Sequence, residues 1–133
     1  MRKIDNRAIV AILCSATLLS ACGLREKTAL SHPGFLKAEY VDGVIQGVYN
    51  PSVYDAVTVE KGLAVFCQPG QLSGYAQKPG DRLIHFAASC SDGDRLGKGY
   101  LELSKLRNGK IDIFSEYVTS KGSKRATMGS YHP

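Results

Sequence analysis

The feature that most limits what this chain can become is its first 21 residues, which join a basic stub to a short apolar run. Arg2, Lys3 and Arg7 precede the mostly apolar stretch 8–21. That stretch is about fourteen residues long, whereas a membrane-spanning helix needs about twenty. A basic stub, a short apolar core and small residues at its end are typical of a secretory signal peptide. We therefore expect residues 1–21 to be removed, which leaves about 112 residues for one modest core.

The apolar run ends in Leu19-Ser20-Ala21-Cys22, which resembles the lipobox of bacterial lipoproteins. The resemblance implies diacylglycerol on the Cys22 sulfur, cleavage before Cys22 and acylation of the new amino terminus. Several acyl chains would anchor the domain stably, because each buried CH₂ contributes about 0.8 kcal/mol. Gly23 stands where an Asp would retain such a protein at the inner membrane, so the same resemblance implies the outer membrane. We expect the domain to face the periplasm, and the alternative of a surface-facing domain stays open. The alternative is an ordinary signal peptide with a chance cysteine.

The remaining cysteines fit an oxidising compartment. Cys14 leaves with the signal peptide and Cys22 carries lipid, so Cys67 and Cys90 remain. Outside the cytoplasm such a pair predicts a disulfide. Closing a loop of about 24 residues would stabilise the fold by roughly 3 kcal/mol in the chain-entropy model. The alternatives are a redox pair or a metal site, but the chain has no CxxC and no His or Cys at ligand spacing, so we predict no metal.

The first mature segments predict helices. Val41, Val44, Ile45 and Val48 follow the i, i+3, i+4, i+7 spacing of a helix face. Gly43 and Gly47 would form a bare strip on that helix, which suits close packing on the protein's own sheet or, alternatively, docking of a partner helix.

A second, short helix is favoured over residues 51–61. Asn50 is a suitable N-cap, Pro51 suits the first helical position and Gly62 could end the helix. The β-branched run 57–59 argues against it, so the point stays open.

The rest of the chain predicts strands and turns. "LAVFCQ" is expected to be a short buried strand, residues 69–81 a loop, and "RLIHFAASC" an alternating strand. "YLELSKL" and "KIDIFSEYV" are expected to form a hairpin. A three-residue loop, 107–109, places Leu103 opposite Ile113 and puts Gly109 where a left-handed residue is needed.

These elements predict one α+β domain: one or two N-terminal helices on a small antiparallel sheet with a C-terminal hairpin and one disulfide. The expected boundaries are a signal peptide at 1–21, a lipidated tether at 22–33, the periplasmic domain at 34–120 and a flexible basic tail at 121–133, which Tyr131 could pin.

The sequence holds no recognisable catalytic set, so we expect no enzyme and no cofactor. His32 and His132 lie near the ends of the domain, and His85 is expected mid-strand without a nucleophile in a known motif. An envelope hydrolase is therefore the least favoured class. The formal charge of +5 falls to roughly +3 without the signal peptide, which is too mild to predict nucleic-acid binding.

Seven tyrosines without a tryptophan suit the edges of a core or the rim of a binding surface. If the chain has a binding face, we expect it on the outer side of the sheet and the 69–81 loop, with Tyr75, Tyr100 and Phe114.

Residues 40–50, "YVDGVIQGVYN", followed by "VFCQP" at 65–69, resemble the first part of the Rap1a/Tai immunity family of type VI secretion. That resemblance implies a small periplasmic protein that binds and neutralises a cell-wall-cleaving toxin. It covers about thirty residues, and the rest of the chain departs from the family's helical second half. We therefore predict a membrane-anchored module that binds an envelope protein, of the inhibitor, immunity or exclusion type. The alternative is a structural or accessory lipoprotein of an envelope assembly, such as a secretion or conjugation system, that acts through the Gly43/Gly47 strip. The oligomeric state is left open.

Overall fold

The fold is an antiparallel sheet with helices packed on it, as the α+β prediction requires. The computed structural model describes residues 26–68, 70–91, 97–119 and 121–133, so the expected signal peptide and Cys22 lie outside the described residues. A helical segment covers residues 26–31. The other elements are β1 (Phe35–Val41), β2 (Val44–Tyr49), α1 (Ala56–Cys67), β3 (Leu72–Pro79), β4 (Ile84–Cys90), β5 (Lys98–Lys105), β6 (Ile111–Val118) and β7 (Lys124–Tyr131).

The described strands form one sheet in the order β3-β4-β2-β1-β5-β6-β7. All neighbours are antiparallel, so β2 and β3, which both pair with β4, run in the same direction. Helix α1 makes the connection between them. This order leaves β3 and β7 as the two edges of the sheet.

The predicted first helix is wrong, because residues 35–49 form the hairpin β1–β2. Asp42 and Gly43 both have positive φ, 48° and 89°, and Val41 pairs with Val44. An Asp-Gly pair of this kind makes the two-residue type I′ turn that matches the twist of a hairpin. No helical Gly43/Gly47 strip exists, and the tethering alternative that depended on it loses its support.

Gly47 instead allows close packing within the sheet. A Cβ at this position would lie 2.7 Å from the Phe86 ring and 3.0 Å from the Ala38 side chain. Neither distance leaves room for a methyl group without a shift of its neighbours, so Gly47 lets the Phe86 ring lie against the backbone of β2.

A helix follows, but it lies further along the chain than 51–61. The Asp55 carboxylate accepts a hydrogen bond from the Thr58 amide at 2.7 Å, so Asp55 is the N-cap. Asn50 instead closes a turn, accepting from the Ser52 amide at 3.0 Å. The helix continues to Cys67, so the predicted "LAVFCQ" strand is wrong.

One buried face explains the longer helix. Val59, Leu63 and Phe66 are all buried and are spaced four and three residues apart, as on one side of a helix. Gly62 does not end α1 but lies within it, where a Cβ would come within 2.7 Å of the Tyr131 hydroxyl and 2.9 Å of Leu103. The absence of a side chain at Gly62 therefore lets α1 pack closely against Tyr131 and Leu103.

Two segments expected to be irregular are strands. The 69–81 loop contains β3, and the basic tail contains β7. Both are edge strands with many exposed side chains, so neither has the apolar alternation that marks a half-buried strand. The expectation that Tyr131 pins the C-terminal segment is confirmed, because its hydroxyl donates to the Thr58 carbonyl at 2.9 Å.

The second half of the chain matches its prediction closely. Residues 84–90 form β4, and Leu103 pairs with Ile113 in the β5–β6 hairpin. Gly109 has φ +84° and donates to the Leu106 carbonyl at 3.0 Å, which closes the three-residue loop as expected.

The main core lies between α1 and one side of the sheet, which we call the closed face. Tyr40, Phe66 and Tyr117 pack edge to face there, with ring centroids 5.4 to 6.4 Å apart. The predicted disulfide is present and joins Cys67, at the end of α1, to Cys90, at the end of β4. The opposite side of the sheet is the open face.

Candidate binding surface

The N-terminal helical segment lies on one part of the open face, over β2 and β4. Ala29 is buried with Val48 and Leu83 in a small cluster of its own. Glu26 Oε1 lies 3.0 Å from His85 Nε2, at the edge of a depression of about 210 Å³. Residues 26–31 were expected to be part of a tether and are instead a folded part of the domain.

A second part of the open face carries two aromatic rings. Tyr100 on β5 and Phe114 on β6 point away from α1, because the closed face takes their neighbours Leu101 and Ile113. Their ring centroids are 6.1 Å apart, with the planes inclined at 48°. Lys37 Nζ on β1 lies 4.7 Å from the centre of the Tyr100 ring, within the range of a cation–π contact.

Charged groups surround this pair. The Tyr100 hydroxyl donates to Glu116 Oε2 at 3.3 Å, and Lys124 Nζ lies 3.8 Å from Glu116 Oε1. Partial desolvation and then the Glu116 carboxylate raise the pKa of Tyr100. A tyrosine hydroxyl is protonated at neutral pH even without such a shift, so this one is a donor. We call Lys37, Tyr100, Phe114 and Glu116 the open-face patch.

A shallow groove runs beside the patch. Its volume is about 360 Å³, at the low end of the range for ligand pockets. Val41, 42% exposed, forms part of its apolar lining. The groove is bounded by Lys37, Glu39, Tyr40 and Val41 of β1, Lys98, Gly99 and Tyr100 of β5, and Glu116, Tyr117 and Val118 of β6.

The structure brings Tyr100 and Phe114 together but separates Tyr75 from them. Tyr75 lies on β3 opposite Ala88 and faces the closed side, where its ring stacks on Phe86 with centroids 6.0 Å apart. Its hydroxyl donates to Gln77 at 2.9 Å, and burial raises its pKa. Tyr75 therefore belongs to the edge of the core, and its inclusion in one binding face with Tyr100 and Phe114 was wrong.

Lys37 and Glu116 complete the patch and were missed from the sequence. Lys37 could not be placed because the segment that contains Val41 and Val48 was expected to be helical, which hides the fact that β1 lies beside β5. Glu116 was not named as a site residue, although the predicted register, with Leu103 opposite Ile113, already places it opposite Tyr100.

The described ranges were searched for metal-ligand clusters and for membrane-spanning helices. Among these residues no group of three or more His, Cys, Asp or Glu could hold a metal ion. No helix in the same ranges is long and apolar enough to cross a membrane. The His85 ring contacts the Glu26 carboxylate, and the side chains of His32 and His132 are exposed to solvent.

Comparison of the chain with protein-family models, with curated proteins and with solved structures finds no match. The function must therefore be argued from the geometry of the patch and from the amino-terminal sequence.

Proposed function

We propose that this protein is an outer-membrane-anchored periplasmic lipoprotein whose domain binds another envelope protein, as an inhibitor, immunity or exclusion factor. The observation that carries the proposal is the Tyr100–Phe114 pair, whose rings meet on the side of the sheet away from α1 and are half-exposed among the described residues. Tyrosine and other aromatic side chains are enriched at protein interfaces, where they combine apolar area with a polar tip.

The charges of the patch support a protein partner rather than catalysis. Tyr100 and Lys124 both engage Glu116, and Lys37 lies over an aromatic ring and 4.0 Å from Glu102. Charged side chains that are paired in this way, Glu116 with Lys124 and Lys37 with Glu102, suit the polar rim of an interface, where they orient a partner. An acid–base site instead needs groups whose pKa values are driven apart, with a nucleophile or base in reach of a substrate.

The segment 26–31 packs on the sheet, which supports a position of the whole domain close to the membrane. Cys22 precedes Glu26 by four residues, so full extension of the chain places the two Cα atoms at most about 14 Å apart. Because Glu26 contacts His85 on the sheet, a lipid on Cys22 would hold the domain at the bilayer surface. The Cys67–Cys90 disulfide agrees with an oxidising compartment.

The binding role can be tested by photocrosslinking in the membranes of expressing cells. A benzophenone amino acid at Glu102, which pairs with Phe114 on the open face, should give one discrete adduct. The adduct should be lost when Phe114→Ala or Lys37→Ala is added. The matched control is the same probe at Val57, which is 63% exposed on α1. Equal adducts at both positions, or none at Glu102, would contradict the proposal.

The anchor has a separate test. Globomycin, which blocks cleavage of lipidated precursors, should cause the uncleaved form to accumulate, and Cys22→Ser should release the protein from the membrane fraction. A protein that remains unlipidated and cytosolic with reduced thiols would overturn the lipoprotein assignment.

A further inference from the structure

The two edges of the sheet differ in how they are protected. Along β3 the pairing register shifts between Leu72 and Gly74, and the strand ends at Pro79, which has no amide hydrogen. Bulges and prolines of this kind discourage the addition of another strand. Strand β7 has no such irregularity, since all eight of its residues pair in register with β6.

The outer side of β7 presents unpaired backbone groups. Thr119 donates to the Ser123 carbonyl at 2.9 Å, which makes 119 and 123 a hydrogen-bonded pair. Hydrogen-bonded and non-hydrogen-bonded pairs alternate along an antiparallel ladder. Residues 125, 127, 129 and 131 therefore bond inward to β6, whereas residues 124, 126, 128 and 130 direct their N–H and C=O groups outward. In the described part of the chain β7 is the last strand on this side of the sheet, so no further strand pairs with these outward groups.

We propose that β7 pairs antiparallel with β7 of a second copy of this chain, with Met128 at the two-fold axis. The two sheets would then join into one of fourteen strands. Met128 is 84% exposed, more than any other large apolar side chain in the described residues. In this register it lies opposite Met128 of the second copy, on the open face.

The distribution of charge along β7 favours this partner and this direction. Its basic residues, Lys124 and Arg125, both lie at the start of the strand. Antiparallel pairing places Arg125 opposite Tyr131 of the second copy, so a cation meets an aromatic residue. The two Lys124 residues lie about 27 Å apart along the strands at about 3.4 Å per residue. That separation exceeds the Debye length of about 8 Å at physiological salt, so their repulsion is screened.

The same symmetry suits two anchored chains, a point that rests on the proposed function. A two-fold axis perpendicular to the sheet keeps both open faces on the same side. The segments 26–31, which lie on those open faces, are then on the same side too. Two lipid anchors could enter one bilayer, and confinement in that membrane would raise the effective concentration for pairing.

Cysteine crosslinking in membranes of expressing cells tests the interface in the full chain. Met128→Cys should form a disulfide-linked dimer on mild oxidation, because directly paired strand residues have Cα atoms about 5.5 Å apart, within disulfide range. Ala126→Cys is the matched control: it lies opposite Ser130 of the second copy and about 14 Å from its own equivalent, so it should give none. The double variant Ala126→Cys/Ser130→Cys should crosslink again. Absence of a dimer with Met128→Cys, or equal dimer with Ala126→Cys alone, overturns the proposal.

Light scattering of the purified full chain provides a second measurement that does not need the anchor. The Cys22→Ser chain should have the mass of a dimer, and Ala126→Pro, which removes an outward amide, should halve that mass with an unchanged circular dichroism spectrum. If Ala126→Pro does not fold, Ser130→Pro replaces it, since its amide also points outward. A monomeric chain without Ala126→Pro overturns the dimer and leaves the edge for another extended segment, whatever the outcome of the patch and anchor experiments.

Discussion

The two faces of the sheet use the same kinds of side chain for different purposes. On the closed face Tyr40, Phe66 and Tyr117 pack edge to face beneath a helix and are buried. On the open face Tyr100 and Phe114 also pack together, but there the Lys37 ammonium rather than α1 lies over the Tyr100 ring. Because the closed-face cluster removes more apolar surface from water, we expect it to stabilise the fold more than the open-face pair does. Under the proposed function, the half-exposed open-face pair serves a partner rather than the core.

The largest expected effect lies at the centre of the closed face. Phe66→Ala removes a ring that is 2% exposed and contacts both Tyr40 and Tyr117. Loss of a buried Phe and the cavity left behind typically cost about 3–5 kcal/mol. Urea unfolding of the purified protein measures this loss as a shift of the midpoint at constant slope. A loss below about 1 kcal/mol would mean that α1 does not cover the face as described.

A somewhat smaller loss of stability is expected on removal of the disulfide, which fixes the end of the covering helix to β4. Replacing both cysteines, Cys67→Ala/Cys90→Ala, frees a loop with a sequence separation of 23. We expect a loss of about 3 kcal/mol, mainly because the unfolded chain gains freedom. The unreplaced protein measured with a reductant is the control and should lose a similar amount. If reduction has no effect on urea unfolding, the bond does not stabilise the covered face.

The sequence predicted the covered hairpin well because one physical rule decides its register. Only the three-residue loop aligns Leu103 with Ile113, and Gly109 fits the left-handed position that such a loop requires. A one-residue slip would expose each apolar side chain. The disulfide was equally predictable, since only two cysteines remain after the amino-terminal segment.

The N-terminal hairpin was missed because β2 is buried on both of its faces. Ile45 packs into the main core while Val48 packs against the segment 26–31, so the strand does not alternate. Its apolar residues then match helical spacing by coincidence. Asp42-Gly43 was the signal that could have corrected this, since such a pair favours a two-residue hairpin turn.

Which residues form the open-face patch depends on the pairing of β1 with β5, and that pairing was missed with the hairpin. The order β1-β5-β6 brings Lys37 to Tyr100, and that order is a long-range property that no local pattern reports. Likewise, Tyr75 could not be assigned to a face while residues 69–81 were expected to be a loop. Edge strands such as β3 lack the alternation that would have marked them.

A smaller effect tests how the covering helix begins. The Asp55 carboxylate accepts from the Thr58 amide, which lowers the pKa of Asp55. Asp55→Ala should cost about 1 kcal/mol, as for other N-caps. Because the folded pKa is below the unfolded value of about 3.9, the contribution is complete above that pH and is lost as the pH falls through the folded pKa. Unfolding measured between about pH 2 and 6 should therefore show a difference between the two proteins that narrows toward the acid end, where only the weaker cap of the neutral carboxyl remains. Asp55→Asn is the control, because it keeps the cap without the carboxyl titration.

The smallest effect on stability is expected where the effect on binding is largest. Phe114 contacts Tyr100 on the side away from α1 and is half-exposed among the described residues, so Phe114→Ala should change the free energy of unfolding by less than about 1 kcal/mol. The same substitution should remove the crosslinked adduct at Glu102, since a few uncovered aromatic anchors carry most of the affinity of an interface. Phe66→Ala is its counterpart on the closed face and should show the reverse: a large loss of stability, with the adduct retained under conditions where the variant is still folded. A Phe114→Ala protein that loses several kcal/mol would show that the open face is covered in the native state, and the distinction between a stabilising and an available aromatic cluster would then fail.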